Sequence, residues 1–386
     1  MREWSERELK VIAIVPRCAA AIGLASALFM GVTAFRHAGR LYHRFMLALS
    51  AHLCLFSAAN VVGTTAIPAG TSNTWGAVGN VTTCSAQGFV LQLSLAAPFY
   101  YVLLSLYSFL AVWHNFNVQQ YLWVEKWIHV GVHVFPVTSA FYLLSIQAYN
   151  QPGEDPGTTC WIDSLPFGCG DNDNDSDNTP PCTRGPQNIS QVAGIFAGLP
   201  VLFIMVFPAV VMTALYVQVR RHQERIHIPA SLVAKQAAVY LFALYLTYGV
   251  TIVDHSLGWK ADKAAGFAMS IVSVVTINLI GVWFLVVYVY FSMPVAPITM
   301  GQSGQQQRQQ RQQQHQTQAP QEQSATELSL RSSSRGKRAD RSISFNIFDG
   351  TNPNGDFAEF IFEGDSEDEE IDRKETAQWS AIQNHV

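Results

Sequence analysis

Charge is what this 386-residue chain has least of. Only 13% of its residues are Asp, Glu, Lys or Arg, about half the share of an ordinary globular domain. So little charge beside so much apolar content excludes a wholly disordered regulator. Six cysteines are too few for a small disulfide scaffold. The net charge of −4 excludes general affinity for nucleic acid, so no nucleic-acid partner is expected. No HExxH, GxSxG, Walker A or CxxC occurs, so we expect no enzyme, no cofactor and no metal centre. The last long apolar run holds no lysine, since Lys263 precedes it, which argues against a retinal Schiff base. The run DNDNDSDN at 171–178 lacks the spaced glycine and closing glutamate of a calcium loop, and reads as a solvated acidic loop.

What is present is apolar sequence: 49% of the chain, with a mean hydropathy of +0.14 despite a long polar tail. A bilayer core of about 30 Å needs about 20 apolar residues as a helix. Seven segments qualify, at 11–34, 45–67, 85–113, 127–149, 191–218, 232–256 and 265–292. The expected fold is therefore an all-α membrane protein, a seven-helix bundle over 11–292. Residues 1–10 form a short outer N-terminus, and 293–386 a disordered inner tail. The long outer loop is 150–190. We expect no cleavable signal peptide; the first span serves as its own insertion signal.

Orientation follows the Lys/Arg bias. Loops 35–44, 114–126 and 219–231 carry seven basic residues, against six on the other side including the N-terminus. The sequons at Asn80, Asn174 and Asn188 fall on that other side, as do four cysteines, which supports an N-terminus outside. A multi-pass protein of the plasma membrane, with lipid as a constant partner, is the expected setting.

The four outer cysteines allow three pairings. We expect Cys84, at the start of the third span, to join Cys160 in the long loop, and Cys169 to join Cys182. Cys18 and Cys54 read as small core residues. Ionisable groups inside a membrane are costly and become site candidates. Arg17 in the first span either snorkels outward or faces a ligand. Asp254 and His255 mark the outer end of the sixth span, and depth alone allows an Arg17–Asp254 pair. Gln87, Gln92 and Tyr100 on the third span can share a face, and either bond between helices or meet a ligand. Trp161, beside Cys160, completes the candidate ligand set. His52 and His133 read as structural. Prolines 98, 136, 200 and 208 mark irregular backbone beside a cavity.

Cys84-Ser-Ala-Gln87-Gly88-Phe89 resembles the Cys-x-x-Gln-Gly stretch of G-protein-coupled receptors of the cyclic-AMP-receptor-like (slime-mould type) group, and the chain distantly resembles secretin-like receptors. Cys160-Trp161-Ile162 resembles the Cys-Trp-Ile of the same group. Glu125-Lys126-Trp127-Ile128-His129 before Pro136 resembles the entry to their fourth helix. The resemblance covers roughly 1–295. The third span ends Trp113-His114-Asn115, and the seventh reads Asn278-Leu-Ile-Gly-Val-Trp; both exclude a plain rhodopsin-like receptor. The ten-residue N-terminus has no room for a secretin-type hormone-binding domain.

The resemblance implies a receptor that binds an unidentified extracellular ligand and activates a heterotrimeric G protein by helix rearrangement. Lys126, Arg220, Arg221 and Arg225 are the candidate G-protein contacts. Positive-inside charge alone accounts for part of that basic set. Lys260 and Lys263, with Arg17, could attract an anion, which the acidic outer loop would oppose. In the tail, Ser332, Ser333, Ser334, Ser342 and Ser344 have basic neighbours, and Ser366 precedes acids; these are candidate phosphorylation sites. The competing readings are a seven-helix transporter or channel, which the sparse intramembrane charge disfavours, and a membrane scaffold acting through its tail.

Overall fold

The computed structural model describes residues 4–39, 41–113, 123–151, 157–166, 169, 181–221, 230–257 and 263–292. The tail with its six candidate serines, Asn174, Arg225, Lys260 and the 171–178 run lie outside the described residues.

Helix α1 spans Glu6–Arg36, five residues earlier than the apolar pattern suggests. Ser5 and Glu8 form a capping box: the Glu8 carboxylate accepts from the Ser5 N–H at 2.7 Å, and Ser5 Oγ accepts from the Glu8 N–H at 3.3 Å. This reciprocal pair satisfies two amide donors that a helix start leaves orphaned. Helix α2 is Leu41–Val62 and runs on through a 3-10 turn at Gly63–Ala66.

The expected third span is two helices in series, α3 (Val81–Ser94) and α4 (Ala96–Trp113). Asn80 caps α3, its Oδ1 accepting from Thr82 and Thr83. The break falls at Leu95 because Pro98 has no N–H for the carbonyl of Ser94. Helix α5 is Glu125–Ser145 and carries Pro136 without breaking. A two-residue hairpin follows, β1 (Tyr149–Asn150) antiparallel to β2 (Trp161–Ile162).

Helix α6 (Ile189–Ala193) passes through a π-helical turn, Gly194–Gly198, into α7 (Leu199–Arg221). Helix α8 (Ala230–Leu244) passes through a second π turn, Tyr245–Gly249, into α9 (Val250–Leu257). Helices α10 (Lys263–Asn278) and α11 (Ile280–Ser292) are bent by 48° at Leu279. There the indole of Trp283 donates to the Thr276 carbonyl at 3.2 Å, taking the acceptor that Ile280 would use in a continuous helix.

The core gathers Phe45, Leu49, Tyr100, Tyr101, Ile204, Leu215, Tyr240 and Phe284, all buried. The outer face is also apolar: Ile22, Phe29 and Phe35 of α1, Phe141 of α5, and Leu202 and Val210 of α7 are exposed. A water-facing surface does not carry so much contiguous apolar area, whereas a lipid-facing one requires it. Trp123 and Trp127, beside Lys126 at the start of α5, are exposed in the manner of an interfacial aromatic belt. Among the described residues, five helical stretches are long and apolar enough to cross a bilayer, and the bent α10–α11 pair adds a sixth; Ala238–Asp254 is apolar but shorter. The chain is an all-α multi-pass membrane protein.

Candidate functional site

One end of the bundle is built around one staple. Cys84 and Cys160 are bonded across 76 residues, and Cys169 is bonded to Cys182. The staple brings Cys160 onto α3, where the neighbouring residues receive it. Gln87 Oε1 accepts from the Cys160 N–H at 2.8 Å, while its Nε2 donates to the carbonyls of Ala59 and Gly63. One buried amide thus ties the loop, α3 and the end of α2 together.

Gly88 lies under the ring of Tyr149, and a Cβ there would stand 2.6 Å from that ring. Only glycine lets α3 and β1 approach so closely. Tyr149 donates to the Ala140 carbonyl, and burial pushes its phenol well above the usual range. Gly88→Val forces the ring and hairpin off α3, at a cost of about 2 kcal/mol. Thermal unfolding in detergent measures it, and an unchanged midpoint would refute the contact.

Gln92 is fully buried and uses every polar atom. Its Oε1 accepts from Trp161 Nε1 at 3.1 Å, and its Nε2 donates to Ser139 Oγ at 2.9 Å and to the Phe196 carbonyl at 3.3 Å. That carbonyl is available because Pro200, four residues on, has no N–H to offer it. Tyr100 bonds His129 Nδ1 at 2.6 Å. Gln92 and Tyr100 do share a face, as the spacing implies, but the face is packed on α5. Of the two readings given for Gln87, Gln92 and Tyr100, the structure displays the bonds between elements. Trp161 is half-buried with its indole N–H committed to Gln92.

A second lock was not legible beforehand. Arg184, in the long loop, donates Nε to Asn150 Oδ1 at 2.6 Å and Nη2 to Ser85 Oγ at 2.8 Å. Asn150 is buried and donates to the carbonyls of Gln147 and Asp163. Burial lowers the Arg184 guanidinium from its ordinary value. The available signal was that Arg184 is the lone basic residue of an acidic loop. Asn80 is exposed as the α3 cap, and Asn188 is exposed ahead of α6.

Arg17 does not meet Asp254, which corrects that pairing. Its Nη2 donates to Thr64 Oγ1 at 2.5 Å, and Asp254 accepts from Ser270 Oγ at 3.3 Å. His255 belongs to α9, and its side chain is outside the described residues.

At the opposite end, Arg44 clamps Glu125 through two bonds, Nε to Oε1 at 2.6 Å and Nη2 to Oε2 at 3.0 Å. His129 Nε2 lies 3.7 Å from the same carboxylate. Deeper, His52 and His133 bond to each other at 2.9 Å. The tyrosines form a further knot. Tyr42 and Tyr240 bond hydroxyl to hydroxyl, and Tyr101 donates to the Tyr240 carbonyl. Tyr288 bonds His43 Nδ1, and Tyr101 stacks on Phe284. Helices α2, α4, α8 and α11 meet there. Lys126, Arg220 and Arg221 are exposed around this end.

No protein-family model matches the chain, and no curated protein is significantly similar to it. The chemistry of the site therefore stands on its own geometry. Among the described residues there is no metal-ligand cluster.

Proposed function

We propose that the chain is a seven-span receptor of the plasma membrane, N-terminus outside, that couples an extracellular ligand to a heterotrimeric G protein. The seven spans are α1, α2, α3–α4, α5, α6–α7, α8–α9 and α10–α11, with each interruption lying within one crossing. One observation carries the reading. Cys84, Gln87 and Gly88 on one side, and Cys160 and Trp161 on the other, are the residues of the resemblance to the cyclic-AMP-receptor-like group, and they converge on one outer cap. Residues 76 apart in sequence have a common purpose there, which supports reading the two motifs as one device.

A receptor works by binding one bundle state better than another. In this reading, the cap holds the outer ends of α3 and α5 against the long loop. The tyrosine knot holds α8 against α2, α4 and α11. A ligand that favours a state with the knot opened exposes a groove ringed by Lys126, Arg220 and Arg221. A transporter or channel finds less support, because Gln87, Gln92, Asn150 and Arg184 of the cap are bonded between elements.

The test is guanine-nucleotide exchange on a panel of purified G proteins, with the chain in membranes. The Arg220/Arg221/Arg225 triple alanine variant should lower the exchange rate about tenfold, an expected loss of a few charge contacts. Tyr240→Phe removes one bond of the knot and should raise basal exchange about twofold. Correctly inserted chain that stimulates no member of the panel, in wild type and Tyr240→Phe alike, sinks the reading.

A further inference from the structure

We infer that Arg17 is an oxyanion-binding group, taking a phosphate or carboxylate oxygen at the mouth between α1 and the end of α2. This deepens the receptor reading, on which it rests only for the mouth facing the outer solution.

A guanidinium stays charged at any working pH and presents five N–H donors in a fixed fork. In Arg17 one of these is spent, on Thr64 Oγ1. The Thr64 hydroxyl donates in turn to the Trp75 carbonyl at 2.9 Å, so it orients the fork and adds no negative charge. The Nε atom is buried against Gly63 without an acceptor, out of a ligand's reach, so the donors offered to an oxyanion are the remaining Nη hydrogens. Among the described residues, no carboxylate lies within ion-pair distance of Arg17. Glu6 is paired with Lys10 at 2.6 Å, and Asp254 is turned to Ser270. A partly buried cation without a counter-charge is costly, and an anion removes that cost.

The local backbone is shaped for this side chain. Gly63 adopts φ +52°, a conformation that glycine tolerates and other residues rarely adopt. A Cβ at Gly63 would stand 2.7 Å from Arg17 Nε, so only glycine leaves the guanidinium its place across the turn. Gly63 is also held from behind, since its carbonyl accepts from Gln87 Nε2. The fork therefore sits on a turn fixed by the outer cap, level with Trp75 of the first outer loop. An oxyanion bound there would touch α1, α2 and, through Gln87, the stapled loop.

The oxyanion can come from the headgroup of an anionic lipid or from the outer solution. The full chain is purified in maltoside micelles free of phospholipid, and its thermal unfolding is followed in two arms at fixed ionic strength. One arm titrates inorganic phosphate against chloride. The other adds phosphatidic acid against diacylglycerol of the same chains, which differ only in the phosphate. At ten times its Kd the bound anion should raise the midpoint by about 3 °C. The rise should vanish in Arg17→Gln and persist in Arg36→Gln. A response in the first arm assigns a water-borne oxyanion, and one in the second alone a lipid headgroup. No response in either arm, or an equal response in Arg17→Gln, overturns the site.

A second measurement needs only wild type: phenylglyoxal labelling mapped by mass spectrometry. Phosphate or phosphatidic acid should slow labelling of Arg17 at least threefold and leave Arg36 unchanged. An Arg17 that is unreactive, or reactive and unprotected by both, also overturns the proposal. Neither measurement contains a G protein. A failed exchange assay therefore leaves this result intact, and the absence of anion binding leaves the receptor reading standing.

Discussion

Replacing Cys84 and Cys160 together by serine should lower stability by about 2 kcal/mol, or about 6 °C in the unfolding midpoint. Closing a loop of 76 residues would be worth roughly 4.5 kcal/mol if the enclosed chain were a free coil when unfolded. It is not a free coil. Helices α4 and α5 lie between the two cysteines, and membrane helices persist after the bundle comes apart. That persistence removes about half of the closure entropy. The remaining effect includes Gln87, whose Oε1 loses the fixed Cys160 N–H. The half-buried thiol of Cys54 gives the readout, as its reaction with a dye reports unfolding in both proteins; Cys18 is exposed, which corrects its reading as a core residue, and is replaced by alanine in both. A midpoint within 1 °C of wild type would show that the hairpin and the Arg184 lock hold the cap without the staple.

Gln92→Leu should cost about 3 kcal/mol, more than any other single side-chain change within the cap. Leucine fills nearly the same volume, so the loss is not a cavity. It strands the Trp161 indole N–H and the Phe196 carbonyl, each part-buried and each worth about 1–3 kcal/mol when unsatisfied. Ser139 suffers less, because its hydroxyl also reaches the Pro136 carbonyl. Thr138→Ala on the same helix is the control. Thr138 is exposed and bonds its own helix, so its removal should be near neutral. If the two variants unfold together, Gln92 is not the junction of α3, α5, the π turn and β2.

The apolar runs made the membrane fold legible, because a bilayer imposes length and composition on each crossing. The capping box at Ser5 and Glu8 was also open to reading, yet the apolar pattern drew attention to residue 11. Proline 98 announced irregular backbone, but not that the break would fall at Leu95. The break at Leu279 had no such signal: it depends on the Trp283 indole reaching a carbonyl seven residues back. Gln87, Gln92 and Tyr100 were identifiable as polar residues in an apolar helix. Whether they faced a ligand or a neighbour turned on helix rotation, which sequence does not encode locally. Arg184 with Asn150, Arg44 with Glu125, and Tyr42 with Tyr240 are long-range pairs, 34, 81 and 198 residues apart. Nothing in either partner's immediate surroundings names the other.

Helix α1 has a consequence for the membrane it lives in. Its 31 residues make a rod of about 46 Å, against a hydrocarbon layer of about 30 Å. The first turns, with Glu6, Arg7, Glu8 and Lys10, stand in water, yet the apolar stretch from Val11 to Phe35 still exceeds the layer. A thin bilayer makes this rod lean, and a thick one lets it stand more upright. Arg17 is bonded to Thr64 and α1 packs along α2, so the two helices lean together. The same chain placed in short-tailed and long-tailed lipids therefore presents the Arg17–Thr64 pair at different depths.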